Sequence, residues 1–484
     1  MKNRKSPGDD GIHNLLLKNL SLKTIVFISK IFNGCLLLGY FPKSWKTAKV
    51  IALKKPGKDE VSPSSYRPIS LLPCIGKLFE SVLLRRLQRA SSHILINEQF
   101  GFRALHSTAQ QLARVSDHIS HHLNLHQSTG MFLLDIEKAF DTVWHEGLLY
   151  KLMSIGIPFH LLKLLQSYLT NRKFIVRIDN SSSLPHFVPA GIPQGSLLGP
   201  YLFLLYINDI PIQPRTKLAC FADDTASYTS SNDVDLIIDR LQLSLDRLQD
   251  YFGQWKLKLN EAKTEAILFT RTRQPPQRKL KIAGHVVPWS SSVRYLGVIM
   301  DTKLNWTKHV ATLRVKGAQA LGALSPILNR KSNLSHFTKL RIYSTLVRPV
   351  ITYACPVWSS TCLSNHQLLQ VIQNKALKIA YNTPFKTNLV NLHLNIKFPL
   401  LFNYILKLTK NFYIKNKLHV VNPLIANICS SDVSSLPYID NYGTYKLPHH
   451  YLLFPPLPSV SASADQCRDP CGSRGGSAAA TKLV

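Results

Sequence analysis

The stretch Leu218-Ala-Cys-Phe-Ala-Asp-Asp-Thr-Ala-Ser-Tyr228 limits what this chain can fold into more than any other. Two adjacent carboxylates, Asp223 and Asp224, lie between a short apolar run and a Thr/Ser/Tyr run. Both flanks suit β-strands, which predicts a tight hairpin with the acidic pair at its tip. Asp-Asp is ordinarily a solvated turn, but Leu218 to Ala222 is too apolar to face water. Neighbouring carboxylates resist joint ionisation. A divalent cation relieves that repulsion, and hard oxygen ligands of this kind suit Mg²⁺.

A third carboxylate is available upstream. Met131-Phe-Leu-Leu-Asp-Ile136 reads as a buried strand ending at Asp135, followed by Glu137-Lys-Ala-Phe-Asp141. Glu137 and Asp141 read as helix-start or surface carboxylates rather than metal ligands. Between the two acidic segments lies Gly191-Ile-Pro-Gln-Gly-Ser-Leu-Leu-Gly-Pro200, whose glycines and prolines predict a turn open to close backbone approach.

In order and spacing, Phe132–His145, Gly191–Pro200 and the Phe-Ala-Asp-Asp hairpin resemble the palm of a reverse transcriptase. The wording is most similar to non-LTR retrotransposons of the jockey type, and the resemblance covers roughly residues 1 to 400. It implies an α+β right hand of fingers, palm and thumb, with an antiparallel palm sheet and a mostly helical C-terminal region. The implied activity is RNA-directed DNA polymerisation. An RNA template, a DNA primer and deoxynucleoside triphosphates would be the partners. Asp135, Asp223 and Asp224 would bind two Mg²⁺ ions, with Mn²⁺ as a substitute. Phe140, five residues after the first aspartate, matches the aromatic that excludes a 2′-hydroxyl from the incoming sugar. Gln194 and Gly195 match the pair that contacts base and ribose, and Lys263 the lysine that protonates departing pyrophosphate. Arg294-Tyr-Leu-Gly-Val298 resembles the hairpin that grips the primer end, which makes Tyr295, Leu296 and Gly297 its candidates. Arg103 falls in a template-side motif.

Other segments agree with this reading. Trp45–Leu53 and Tyr66–Leu71 predict two finger strands joined by a basic loop, with Lys54, Lys55 and Arg67 available to clamp a triphosphate. The choice between Lys54 and Lys55 stays open. Helical spacing marks 77–89, 108–123, 148–169 (broken near Gly156 and Pro158) and 234–252. Trp255–Asn260 and Thr264–Phe269 predict short strands. Thr24–Phe41 contains Lys30, Asn33, Gly34 and Gly39, so it reads as a core helix rather than a membrane span. The segments expected are a finger extension (1–34), fingers and palm (35–301), a helical thumb with its extension (302–426) and an irregular tail (427–484).

The charge of the 484-residue chain fits a polyanionic partner: 59 Lys and Arg against 27 Asp and Glu give +32. Its eight cysteines lack the paired spacing of a zinc site or a disulfide framework. Cys467 and Cys471 have no histidine after them that would complete a zinc knuckle. No signal peptide is recognised, and family analogy implies an intracellular site of action, in the nucleus with the cytoplasm as the alternative. Relatives usually carry an endonuclease upstream, so the expectation is a fragment or an element that has lost it. A viral RNA-copying polymerase is disfavoured by Phe140 and by Phe221-Ala222. Nothing resembles the C-terminal sequences of an intron maturase. The remaining alternative is a domesticated or truncated element protein that binds nucleic acid without polymerising.

After Asp301 the chain has no Glu, and its Asp residues are Asp432, Asp440, Asp465 and Asp469. Ribonuclease H chemistry needs clustered carboxylates to hold its metals. The chain is therefore expected not to cleave the RNA strand of a labelled RNA–DNA hybrid in Mg²⁺. Cleavage that survives Asp135→Asn and removal of host nucleases would overturn this.

Overall fold

In the computed structural model, which describes Asn3 and residues 6–429 apart from 56, 58, 180, 273–275, 385 and 420, the β-branched runs become strands and the runs of helical period become helices. Thr47–Lys54 (β1) and Tyr66–Leu71 (β2) pair antiparallel, with Lys49 opposite Leu71 and Lys54 opposite Tyr66. Ser128–Leu134 (β3) begins the palm. Lys173–Ile178 (β4), Ser181–Ser182 (β5) and His186–Phe187 (β6) return to the fingers, where β4 runs parallel to β1. The fingers are thus a mixed sheet of order β2-β1-β4-β5, with β6 also on β4. The expected two-stranded finger is only its edge. A parallel pairing of distant segments leaves no local signal in the sequence.

The palm sheet adds Lys217–Phe221 (β7), Asp224–Ser231 (β8) and Glu265–Phe269 (β9), in the order β7-β8-β3-β9 with every pair antiparallel. Alternation along the strands loads both faces. Met131, Tyr228, Ile267 and Phe269 pack with Leu112, Val115 and Ile119 of helix Thr108–Asn124. Phe132, Leu134, Ala266 and Leu268 pack with Ile237, Leu241 and Leu245 of helix Val234–Gln254. Gly130 lets the second helix approach, because a Cβ there would lie 2.4 Å from Ile237 Cγ2. Two small hairpins follow: Leu280–Ile282 (β10) with His285–Val287 (β11), and Ser292–Tyr295 (β12) with Val298–Asp301 (β13). Beyond Asp301 the described residues are helical, principally Thr307–Leu328, Leu363–Tyr381 and Leu401–Lys417. Their buried residues join the core on the Thr108–Asn124 side of the sheet.

Two expectations are corrected, and a third falls outside the described residues. The Thr24–Phe41 run does form a helix, Leu22–Leu38, but only Phe32 and Cys35 of it are buried, while Leu22, Phe27, Leu37 and Leu38 stand exposed. Apolar composition does not bury a helix where no neighbour covers it. No helix among the described residues is long and apolar enough to cross a membrane. Trp255–Asn260 is not a strand, since Lys256 takes a positive φ of 54° and only a single bridge forms, Leu259 to Ile136. The tail from 430 onward, with Cys467, Cys471 and the four late aspartates, lies outside the described residues.

At the far end of the palm, His118 Nε2 lies 3.0 Å from Ser230 Oγ and Lys217 Nζ lies 3.1 Å from His118 Nδ1. A lysine donating to Nδ1 requires a neutral ring. Desolvation, then Lys217, His122, Arg114 and His121, push the His118 pKa from 6.5 down to about 3. The folded state therefore refuses a proton that the unfolded chain accepts below pH 6.5. The stabilisation is complete above that pH and is lost as the pH falls towards 3, by up to about 1.4 kcal/mol per pH unit. Denaturant unfolding at pH 7.5, 6 and 5 is expected to show a shallower acid loss in His118→Gln than in the parent.

Candidate active site

Phe221 pairs with Asp224, leaving Ala222 and Asp223 as a two-residue hairpin turn. Ala222 has φ 58° at the first turn position, where glycine is preferred. A buried amide holds it there. Gln99 Oε1 accepts from Ala222 N at 2.8 Å and from Gly101 N at 2.8 Å, while Gln99 Nε2 donates to Ala222 O at 3.2 Å. Gly101 is required at this contact, since a Cβ there would lie 2.2 Å from Ala222 N. On the other side, Leu134 pairs with Thr225, so Asp135, the next residue, comes beside Asp224. The backbone of Asp135 accepts from Asn260 N at 2.8 Å, which lays the 258–263 segment alongside it.

The three aspartates expected from the sequence are therefore brought together. Desolvation first, and then Asp223 and Asp135, raise the Asp224 pKa from 3.8 to about 6. Desolvation and the charge of Asp135 raise Asp223. Asp224 is open to solvent at its outer side, yet it lines a concave crevice in which neighbouring atoms displace water. Asp135 differs from the pair, because its Oδ2 lies 2.8 Å from Lys263 Nζ. No group of three His, Cys, Asp or Glu among the described residues is gathered as a ready-made metal cage. The donor chemistry nevertheless fits a divalent cation: two carboxylates have no ion-pair partner among the described residues, and the third has a lysine ammonium beside it.

Phe140 is linked to the hairpin through Phe102, the residue after Gly101. Its ring stacks on Phe203 at 5.0 Å between centroids and meets the edge of Phe102 at 5.9 Å. The 191–195 turn is built onto the same segment: Gly191 N donates to Val143 O and Ile192 N to Phe140 O, both at 2.8 Å. Gly191 has φ 88°, and a Cβ there would lie 2.6 Å from Asp141 O. Gln194 Nε2 donates to Asp141 Oδ1 at 3.1 Å, so Asp141 orients the glutamine. Gly195, at φ 116°, presses on β2: a Cβ would lie 2.6 Å from Ser70 O, and Ser70 N donates to Gln194 O at 2.8 Å. Beneath the turn, buried Glu80 accepts from Leu197 N at 2.6 Å, and burial raises its pKa. Sequence reading missed Glu80, which looks like one more polar position on an amphipathic helix.

The finger cations divide. In the β1–β2 register Leu53 faces Arg67 and Lys54 faces Tyr66, so alternation puts Lys54 and Arg67 on opposite faces. Lys54 forms an ion pair with Glu60. Arg67 is exposed and meets no hydrogen-bonding partner among the described residues, and one further step of alternation returns Lys55 to its face.

Two site assignments are corrected. Arg103 does not reach outward, because its Nη1 donates to Ile96 O at 2.6 Å and Gln99 O at 3.1 Å, stapling the turn before it. Tyr295 is 2% exposed and its hydroxyl donates to Ala219 O at 3.2 Å, so it is a core residue. Leu296 and Gly297, at φ 44° and 84°, form the hairpin tip. They share with Asp224, Thr225 and Arg294 a crevice of about 230 Å³. Exposed Arg294, not a sequence candidate, supplies the cation there. Its position between buried Val293 and Tyr295 could have revealed it.

Comparison with known proteins bears on the same residues. The family model described as reverse transcriptase (RNA-dependent DNA polymerase) matches residues 53–300. The chain is 36% identical over 401 residues to a probable RNA-directed DNA polymerase from transposon BS of Drosophila melanogaster, a match covering 81% of this chain and 44% of the relative. It is 36% identical over 426 residues to the X-element polymerase of the same species (86% and 46%). It is 33% identical over 424 residues to the RNA-directed DNA polymerase of mobile element jockey from Drosophila funebris (85% and 46%). The chain thus spans less than half the length of these relatives. Among solved structures, apo telomerase from Candida tropicalis aligns with a TM-score of 0.40 and 10% identity over 84% of this chain and 74% of that one. By the family match across its palm and its likeness to these mobile-element polymerases, the chain belongs to the reverse transcriptases of non-LTR retrotransposons.

Proposed function

We propose that this chain extends a DNA primer on an RNA template, adding deoxynucleotides at the primer 3′-hydroxyl with the aid of two divalent cations. The observation that carries the reading is the Asp223–Asp224 pair beside Asp135, desolvated and without an ion-pair partner among the described residues, with Phe140 tied to their hairpin through Phe102. Mg²⁺ bound at these carboxylates would supply a lowered pKa at the primer hydroxyl and charge neutralisation on the leaving pyrophosphate. The protein's own groups do the positioning. Gln99 and Gly101 fix the hairpin, and Asp141 aims Gln194 towards the nucleotide. Phe140 fills the space that a 2′-hydroxyl would need. Arg67, with Lys55 rather than Lys54 beside it, clamps triphosphate oxygens. Lys263 neutralises Asp135 until substrate arrives and is then the proton source for pyrophosphate. Leu296, Gly297 and Arg294 meet the primer end in the crevice beside Asp224.

The duplex has a matching surface. Residues 302–429 contain seventeen Lys and Arg and no Asp or Glu. Such a region attracts phosphate backbones without reading sequence, with binding that weakens as salt rises. Work at chromosomal DNA, and hence in the nucleus, goes with this reading.

Asp223→Asn is expected to abolish Mg²⁺-dependent extension on poly(rA), by about a thousandfold or more, while template binding stays near the parent's. Retained extension would mean that the hairpin is not the reacting centre. Phe140→Val is expected to admit ribonucleotides, read as ribonucleotide insertion in single-nucleotide extension. A mutant as selective as the parent would remove the sugar-gate role from Phe140.

A further inference from the structure

The 99–103 turn joins two parts of the site that the chain reaches separately. Its backbone is laid against the catalytic hairpin: Phe100 N donates to Cys220 O at 2.9 Å and Cys220 N to Glu98 O at 3.1 Å. Gln99 and Gly101 hold Ala222, and Arg103 closes the turn from behind. At its outer end is Phe102, in the left-handed region at φ 54°, with 49% of its surface exposed. Both features are unfavourable for an aromatic residue. A glycine or asparagine would take this φ with less strain, and a ring half in water contributes little burial. What the ring does contact is Phe140, nearly perpendicular to it at 88° and 5.9 Å between centroids, while Phe140 itself stacks on Phe203. Phe203 is fully buried in helix Gly199–Tyr206, so it cannot yield.

We propose that Phe102 is a specificity-determining positioning residue, which pins the Phe140 ring against Phe203 so that the ring cannot swing away from a 2′-hydroxyl. This rests on the reading of Phe140 as the sugar gate. Because the turn that carries Phe102 also clamps Ala222, the gate is held at a fixed place relative to Asp223 and Asp224. A gate loosened on its Phe102 side keeps its bulk but loses its position, so selectivity falls while the aromatic itself is intact.

The test measures single-nucleotide insertion of matched ribo- and deoxynucleotides by the parent, Phe102→Ala, Phe102→Tyr, Phe140→Ala and the double alanine variant, each with its thermal unfolding. Phe102→Ala is expected to raise the ratio of ribo- to deoxynucleotide insertion about tenfold, the scale of discrimination set by one hydrophobic contact. Phe102→Tyr, which keeps the ring edge, is expected to restore the parent ratio. The double variant is expected to be no less selective than Phe140→Ala, because Phe102 acts only through Phe140. If Phe140→Ala relaxes selection and Phe102→Ala leaves it at the parent ratio, the proposal is overturned and the gate reading stands. If Phe140→Ala leaves selection unchanged, the gate reading fails and the proposal with it. If Phe102→Ala unfolds at assay temperature, Phe102→Leu carries the comparison, since it fills the site without an aromatic edge. Parent selectivity in that variant also overturns the proposal.

Discussion

The site depends on the pairing of β3 with β8. Seven residue pairs, from Ser128 opposite Ser231 to Leu134 opposite Thr225, run up to the point where Asp135 meets Asp224. Side chains alternate with a period of two, so a slip of one residue would exchange the faces of Met131 and Phe132 and turn Asp135 away from the hairpin. Both faces of the sheet are loaded with buried residues, which makes that slip prohibitive. The hydrophobic packing of two helices thus fixes the carboxylates in place against their mutual repulsion.

Repulsion is also what gives the site its chemistry. Asp223 and Asp224 are raised because burial and like charge both oppose their ionisation, and neither forms an ion pair among the described residues. Asp135 has Lys263 beside it instead. The protein tolerates this arrangement because the hairpin is gripped from outside, through the two hydrogen bonds of Gln99 to Ala222 and the close packing of Gly101. Buried amides that satisfy both backbone groups of one residue are a rigid form of support, since releasing either leaves an unpaired polar group in the core.

The part of the candidate site around Gln194 is assembled by a different device, a turn that hydrogen-bonds in two directions. Gly191 and Ile192 attach it to the segment that carries Phe140, while Gln194 is bonded through its backbone carbonyl to Ser70 of the fingers. Glu80 holds its far end by accepting from Leu197 N. Fingers, the Phe140 segment and the helix that carries Glu80 are thus tied through one stretch of backbone. Glycine at 191 and 195 is what allows the close contacts.

The sequence by itself determined the local elements that carry the candidate residues: the apolar flanks and like charges of Leu218–Tyr228, the strand ending at Asp135 and the glycine–proline turn at 191–200 are local patterns, and local patterns are legible from composition and period. Helices of strong period, such as 108–124 and 234–254, were legible for the same reason. Only the tertiary structure decided which candidates face the site. Arg103 and Tyr295 look available in one dimension, but Arg103 turns back on its own loop and Tyr295 sinks into the core, while Arg294 points out. The parallel pairing of β1 with β4 and the meeting of Phe102 with Phe140 are likewise contacts between distant segments. Such contacts depend on how whole elements pack, and no window of sequence contains both partners.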